Sequence, residues 1–545
     1  MGYLLQILLA MGTFGLADGG FVSGREWPLA VLLWCAAPYL TLSLAVRAWR
    51  RGRFRSSARW GRVLSALPVA GSFFALSGCG WKHTLERWLD TPVTLLGWPQ
   101  PALLLALVPF VVYQLIAIDA SARLADTRRG ARTSLRGLQM RMFLSGFVPV
   151  TLYVLAASLV GASEALRIRV EEVALWNAAF SALILASFVA FLPSILRNTW
   201  ETVRMPEGIE RRVLTTVAER ASFACREICL WKTGNLMANA AIVGLTRKDR
   251  VVLFSDSLLS MLSMRELAAV FGHEMGHAVR RHVTTFLFFA LAFFMGADLI
   301  ATHLVPPVEW MVGGVILVTL VGWYLSFGYL SRRFELEADL HSLELLGDSE
   351  ALISALEKVG GRLRDVASWR HFSTARRVAF IESAAVDPSV GRRLHTKLRW
   401  ASRAGLAAFV VVALIELATM FEALQENLVY VDLRLGEYTK AAERVETAKA
   451  LPDDLVALAL HAEDLGSIDV AELEGHALTE LERGEAESAL HSIHLATLRG
   501  SERLADLGRV LRTAGRGELD EARTLAGNLP PELAARVLPL LEGEG

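Results

Sequence analysis

Residues 263–283 read SMRELAAVFGHEMGHAVRRHV, from Ser263 to Val283. Ser263 followed three positions later by Glu266 is a capping box, which predicts a helix beginning at Met264. On that helix His273 and His277 lie four apart and share a face, so both imidazoles can reach one metal ion. Glu274 stands beside them, close enough to act on water without being a ligand. The spacing suits metal-assisted hydrolysis. A five-residue pattern also arises by chance, so the rest of the chain has to supply a third ligand, a substrate-binding edge and a location.

Outside this stretch the chain is unusually apolar. Of its 545 residues 53% are hydrophobic, and the mean hydropathy of +0.39 is that of a polytopic membrane protein. Net charge is zero but unevenly spread. Beyond about residue 423 acidic residues outnumber basic ones roughly two to one, which argues against nucleic acid as a partner of the tail. Cys35, Cys79, Cys225 and Cys229 form no disulfide framework. Cys225 and Cys229 fall four apart on an expected helix and read as packing residues. Arg far outnumbers Lys, as in GC-rich bacterial genomes.

Apolar runs near 2–17, 28–46, 63–81, 99–118, 143–162 and 175–195 each approach the ~20 residues of a spanning helix. A cleaved signal peptide is an alternative for the first, although its start lacks Lys and Arg. Arg-rich loops at 47–62 and 123–141 belong in the cytoplasm, in agreement with a cytoplasmic amino terminus, so six crossings return the chain there at about residue 197. Helical patterning follows around Gly208 to Leu230. Two strands are expected at Met237 to Gly244 and Arg250 to Phe254, joined by a turn at Thr246 to Asp249. Asp256 is the expected cap of a short helix. With no Gly or Pro stop, the His273–His277 helix is expected to run unbroken into an apolar segment at 283–303, which puts His277 about 9 Å from the membrane surface. A second apolar segment, 310–330, brings the chain back.

Residues 404–421 form a further apolar run, read as a spanning helix over a buried soluble one, with Glu416, costly inside a membrane, as the feature that favours the soluble alternative. That crossing leaves the tail outside the cytoplasm. In the tail, LGEYTKAAERVETA, RGEAESALHSIHLA and RGELDEARTLAGNL share a Gly-Glu and an Ala at a fixed offset. Gly484 and Gly517 lie 33 residues apart, near the tetratricopeptide (TPR) period. These are expected to be TPR-like hairpins that bind a protein partner, with a plain helical cap as the alternative.

A hydrolytic zinc site takes three protein ligands and leaves one position open. His282, nine residues beyond His273, points away from it on a continuous helix and makes a poor ligand. Glu335 returns to the same side across the membrane hairpin. On geometry alone, ligand and solvated helix carboxylate are equally good readings of it. Asp339 shares its face and can orient a histidine. Glu337 points elsewhere and is expected at the surface.

HEMGH after VVLFSDSLL, then a membrane hairpin, then SRRFELEAD, resembles the membrane zinc metallopeptidases that include the CAAX prenyl endopeptidase and the HtpX-like heat-shock proteases. The resemblance covers about 200–400. It implies Glu335 as third ligand to one catalytic Zn2+, Asp339 beside it, and Asn239-Ala240 as the substrate-binding edge strand. The family's His-Pro-Ser run with a following Arg is matched only in part. Arg393 stands where the oxyanion-stabilising Arg is expected, but Asp387 replaces the histidine, which leaves His371 and His395 as candidate substitutes. Nothing identifies a lipid chamber, so CAAX processing lacks support.

The expectation is therefore a mainly α, polytopic membrane protein. It has a spanning region at 1–196, a small α+β zinc-metallopeptidase domain at 197–403 interrupted by a hairpin at about 283–330, a further span at 404–421, and a helical-repeat tail at 422–545. The expected function is hydrolysis of peptide bonds in membrane or membrane-associated proteins at the cytoplasmic face of a bacterial inner membrane, with Glu274 as general base and the tail periplasmic. The alternative is a catalytically weak scaffold that binds partners through the tail.

Overall fold

The computed structural model describes residues 3, 6–7, 10, 27–89, 102–129, 135–304, 306, 309–360, 371–448, 451–466, 468–501, 503–515 and 518–542. The chain is mainly α and polytopic. Among the described residues six helices are long and apolar enough to cross a membrane, and a bent pair, Phe54–Leu76 with Trp81–Leu89 at 55°, would make a seventh. The six overlap the expected segments at 143–162, 175–195, 283–303, 310–330 and 404–421, whereas the expected 99–118 is met only in its second half, by Val108–Arg128. The segment at 28–46 lies within the helix Trp27–Arg50. Most of 2–17 lies outside the described residues.

Between the spans sits a four-stranded sheet of order β1-β2-β4-β3. Its strands are β1 (Thr202–Arg204), β2 (Glu227–Trp231), β3 (Ala240–Val243) and β4 (Val251–Ser255). β2 and β4 are parallel and β3 is antiparallel to β4. The turn between β3 and β4 is held as its composition predicts. Asp249 Oδ1 accepts hydrogen bonds from the Thr246 backbone N–H at 2.7 Å and hydroxyl at 2.6 Å, and Gly244 takes the left-handed φ of +107° that a side chain would resist.

Several sequence expectations are corrected. The helix expected over Gly208 to Leu230 is α1 (Ile209–Arg220) followed by β2. The β-branched and aromatic residues of Ile228 to Trp231 pair with β4 in preference to extending the helix. Cys225 and Cys229 therefore share no helix face, and Cys229 is buried in the sheet. Ser255, not Asp256, caps α2 (Asp256–Met261). Asp256 instead accepts hydrogen bonds from the backbone N–H groups of Thr233 and Gly234 and anchors that loop.

Beyond the sheet the chain continues through α3 (Met264–Val279), α4 (His282–His303), α5 (Glu309–Leu346), α6 (Ser349–Gly360), α7 (Thr374–Val386) and α8 (Pro388–Glu422). α3 opens at Met264 with both bonds of the capping box formed. It does not run unbroken into the membrane. Arg281 adopts φ 57°, ψ 38°, a left-handed conformation that is costly for Arg. The break turns His282 inward, where it is 2% exposed.

The chain forms two compact units, Met1–Ser158 with Leu183–Glu416, and Leu159–Ala182 with Leu417–Gly545. The second unit thus includes a loop that the sequence reading assigned to the N-terminal region. Ile168 and Val173 pack with Val431, and Arg434 pairs with Glu171 and Glu172. The tail itself is a run of short helices from Leu424–Arg434 to Pro531–Glu542. Glu437, Glu485 and Glu518 precede helices with nearly identical backbone angles, φ −86° to −88° and ψ 58° to 65°. Four residues on, Ala441, Ala489 and Ala522 are each 0% exposed. The repeated Glu and Ala are thus the helix-cap and packing positions of three helices, while Gly517 lies outside the described residues.

Candidate metal centre

α3 and α5 supply the histidines and carboxylates. Gly272 and Gly276 let them touch. A Cβ on Gly272 would lie 2.9 Å from Ser342 Oγ, and one on Gly276 would lie 2.9 Å from Ala338 Cα. Close approach of the two backbones brings His273, His277 and Glu335 together, the group of described residues whose donor atoms all lie within 4.8 Å of one another. The two Nε2 atoms are 3.3 Å apart, and each stands 3.7 Å from an oxygen of Glu335. A tetrahedral zinc with bonds of ~2.0–2.1 Å needs donor atoms ~3.3 Å apart. The residues fit the ion.

The surrounding groups fix this geometry. His273 Nδ1 donates to Asp339 Oδ1 at 2.9 Å, and Asp339, 0% exposed, accepts two bonds from Arg377, at 2.8 and 2.6 Å. Arg377 also stands 3.4 Å from Glu335. Burial opposes charge on Asp339 and Glu335. For Asp339 the neighbouring Arg377 and its hydrogen bonds outweigh it, and for Glu335 the bond from His371 with the charges of His273 and Arg377 does so, so both carboxyls lie below their ordinary range. Burial pushes the Glu274 carboxyl up to about 7. Burial likewise holds His282 below the usual imidazole range, against the pull of Glu337.

His273, Glu274, His277 and Glu335 line one cavity of about 660 Å3 together with Asn239, Ala240, Ile242, His371 and Arg377. β3 is the edge strand of the sheet on this cavity. Ser255 N–H donates to Asn239 O, so alternation along the ladder turns the backbone groups of Ala240 and Ile242 away from β4.

Other expected residues fall elsewhere. Arg393 is exposed and bonds Ser389 at 3.3 Å, outside the cavity. Asp387 is also exposed and accepts from the Ser389 N–H and hydroxyl at 2.8 and 2.7 Å, so it caps α8 ahead of Pro388. Its carboxylate therefore faces no reacting group. Of the two candidate histidines, His371 lines the cavity, 3.2 Å from Glu335. His395 instead bonds Glu337 at 2.7 Å. Glu337, expected at the surface, is 4% exposed and held by two histidines. Arg377 escaped sequence reasoning. Its only signal is that a buried Asp339 requires a cation, and 38 residues separate the two.

The profile described as "Peptidase family M48" matches residues 210–399. Similar curated proteins include "Protease HtpX homolog" of Leptothrix cholodnii, 27% identical over 199 residues, covering 32% of this chain and 67% of that one. The homologue of Bordetella pertussis is 28% identical over 169 residues, covering 27% and 54%. The chain thus spans between half and two thirds of the length of these relatives. A solved structure, "Crystal Structure of S. mikatae Ste24p", overlaps 65% of this chain and 99% of its own at 15% identity, with a TM-score of 0.42. Residues 210–399 thus match peptidase family M48, and the chain is similar there to the HtpX protease homologues.

Proposed function

We propose that the chain is a membrane-embedded zinc endopeptidase that cleaves membrane or membrane-associated proteins at the cytoplasmic face. The observation that carries this reading is the convergence of His273, His277 and Glu335 within 3.3–3.7 Å in a cavity that also holds Glu274 and the edge of β3. His273, His277 and Glu335 would hold a zinc ion, which when bound would supply the Lewis acidity to polarise the scissile carbonyl and acidify water. Glu274, with its carboxyl near neutrality, takes the proton of the attacking water and delivers it to the leaving amine nitrogen. Ala240 and Ile242 hold an extended substrate by backbone hydrogen bonds. His371, on the open side of the cavity, takes the oxyanion-facing role that the sequence assigned to Arg393.

The tail is the candidate surface for a protein partner. The loop helix Glu164–Glu172 belongs to the same compact unit as the tail, and with the Arg-rich loops in the cytoplasm and a crossing at 404–421 both would lie on the non-cytoplasmic side. A cysteine introduced beside Gly484 should therefore react with an impermeant reagent in intact cells, and protection there would contradict this side. The activity is tested on protein purified in detergent with an unstructured protein as substrate. Cleavage should stop with a chelator and return with added zinc. Cleavage indifferent to the chelator would contradict the reading.

A further inference from the structure

His277 is tied to a second carboxylate by a chain of hydrogen bonds that the H-E-x-x-H pattern does not contain. Its Nε2 faces His273 and Glu335. Its Nδ1 lies 2.9 Å from Nδ1 of His282. His282 Nε2 lies 2.9 Å from Glu337 Oε2, and Glu337 Oε1 lies 2.7 Å from His395 Nδ1. His282 and Glu337 are 2% and 4% exposed, so water does not complete these bonds for them.

The acceptor at the end determines every proton before it. A carboxylate only accepts, so a neutral His282 donates from Nε2 to Glu337 and its Nδ1 carries a lone pair. His277 must then donate from Nδ1 to His282, which leaves the His277 Nε2 lone pair aimed at the point shared with His273 and Glu335. The left-handed turn at Arg281 is what swings His282 into this position. The His282 ring is also stacked on Phe334, centroids 4.1 Å apart and planes 8° apart, so its orientation is held from the side as well.

We infer that His282 and Glu337 are positioning residues of the metal centre, fixing the tautomer and ring angle of His277 as Asp339 does for His273. The inference rests on the zinc reading above. It assigns work to a histidine and a glutamate that have no place among the three ligands, and it explains why a carboxylate one helical residue pair beyond Glu335 is buried at all. Partners of this kind typically change metal affinity 10–100-fold.

The test measures zinc affinity by competition with a chelator of known strength on the full chain in detergent. His282→Phe keeps a flat ring on Phe334 and removes both nitrogens. Because it strands the Glu337 carboxylate, the double variant His282→Phe with Glu337→Gln is measured beside it, and thermal midpoints of the metal-free proteins identify the folded ones. The expected result is zinc binding weakened 10–100-fold in the folded variant, with Glu337→Gln alone, which keeps an acceptor for His282, losing less. Wild-type affinity in a folded His282→Phe variant would assign His282 to packing and overturn the inference while leaving the zinc centre intact. A wild-type protein that binds no zinc would overturn both.

Discussion

Gly276 and Ala338 leave no room between them: a methyl group on Gly276 would come within 2.9 Å of Ala338 Cα and 3.0 Å of His341 Cβ. Backbone and Cβ atoms cannot swing aside, so the two helices must separate. Gly276→Ala therefore draws Glu335 away from the histidines. The expected outcome is a loss of zinc affinity and of peptidase activity together, read by chelator competition and by cleavage assay, with helical content preserved by circular dichroism. Intact affinity would show that the two helices have slack.

The edge of β3 predicts a different failure. Proline at position 240 removes an N–H that points away from β4, and so spares the ladder. Ala240→Pro should raise KM several-fold and leave zinc content unchanged. A normal KM would remove β3 as the strand on which substrate lies.

Arg377 and Arg393 separate what is buried from what only resembles a motif. Arg377→Ala leaves Asp339 buried without its cation and held only by the His273 hydrogen bond, and breaking a buried pair in this way typically costs about 3–5 kcal/mol. Its thermal midpoint and zinc content should both fall. Arg393→Ala, on the exposed face of α8, should stay within about 0.5 kcal/mol of the parent and keep its activity. Inactive, folded Arg393→Ala would restore the role that the sequence gave it.

The start of α3 carries an acid-sensitive contact. Burial alone would raise the Glu266 carboxyl, but hydrogen bonds from Lys358, Ser354 and the Ser263 backbone bring it to about 2. A depressed carboxyl contributes stability that is fully present above the unfolded pKa of about 4.3 and is lost as pH falls towards 2. The contribution is on the order of 2–3 kcal/mol. Thermal midpoints of Glu266→Gln should lie below those of the parent at pH 7 and converge on them near pH 2. Parallel curves would mean the carboxylate is not engaged.

Local chemistry made much of this readable in advance. The capping box of Ser263 and Glu266, the i,i+4 histidines and the Thr246 to Asp249 turn are each encoded within a few residues, and each is found where its pattern puts it. The unread features depend on partners distant in sequence. Glu337 is buried by His282 and His395, 55 and 58 residues away. The break at Arg281 has no glycine or proline to announce it, because tertiary bonds of His282 hold it open. The Asp387–Arg393 stretch is read differently by spacing and by contacts. Its spacing imitates a catalytic run, while its side chains close on Ser389 and cap a helix.

The most direct test of the central claim is Glu274→Gln, measured for zinc content and peptide-bond cleavage on the same preparation. Glu274 lines the cavity without being one of the three converging donors, so the account predicts zinc bound as in the parent and cleavage lowered at least 100-fold, the scale of general-base catalysis. Cleavage at the parental rate with zinc in place would contradict the account.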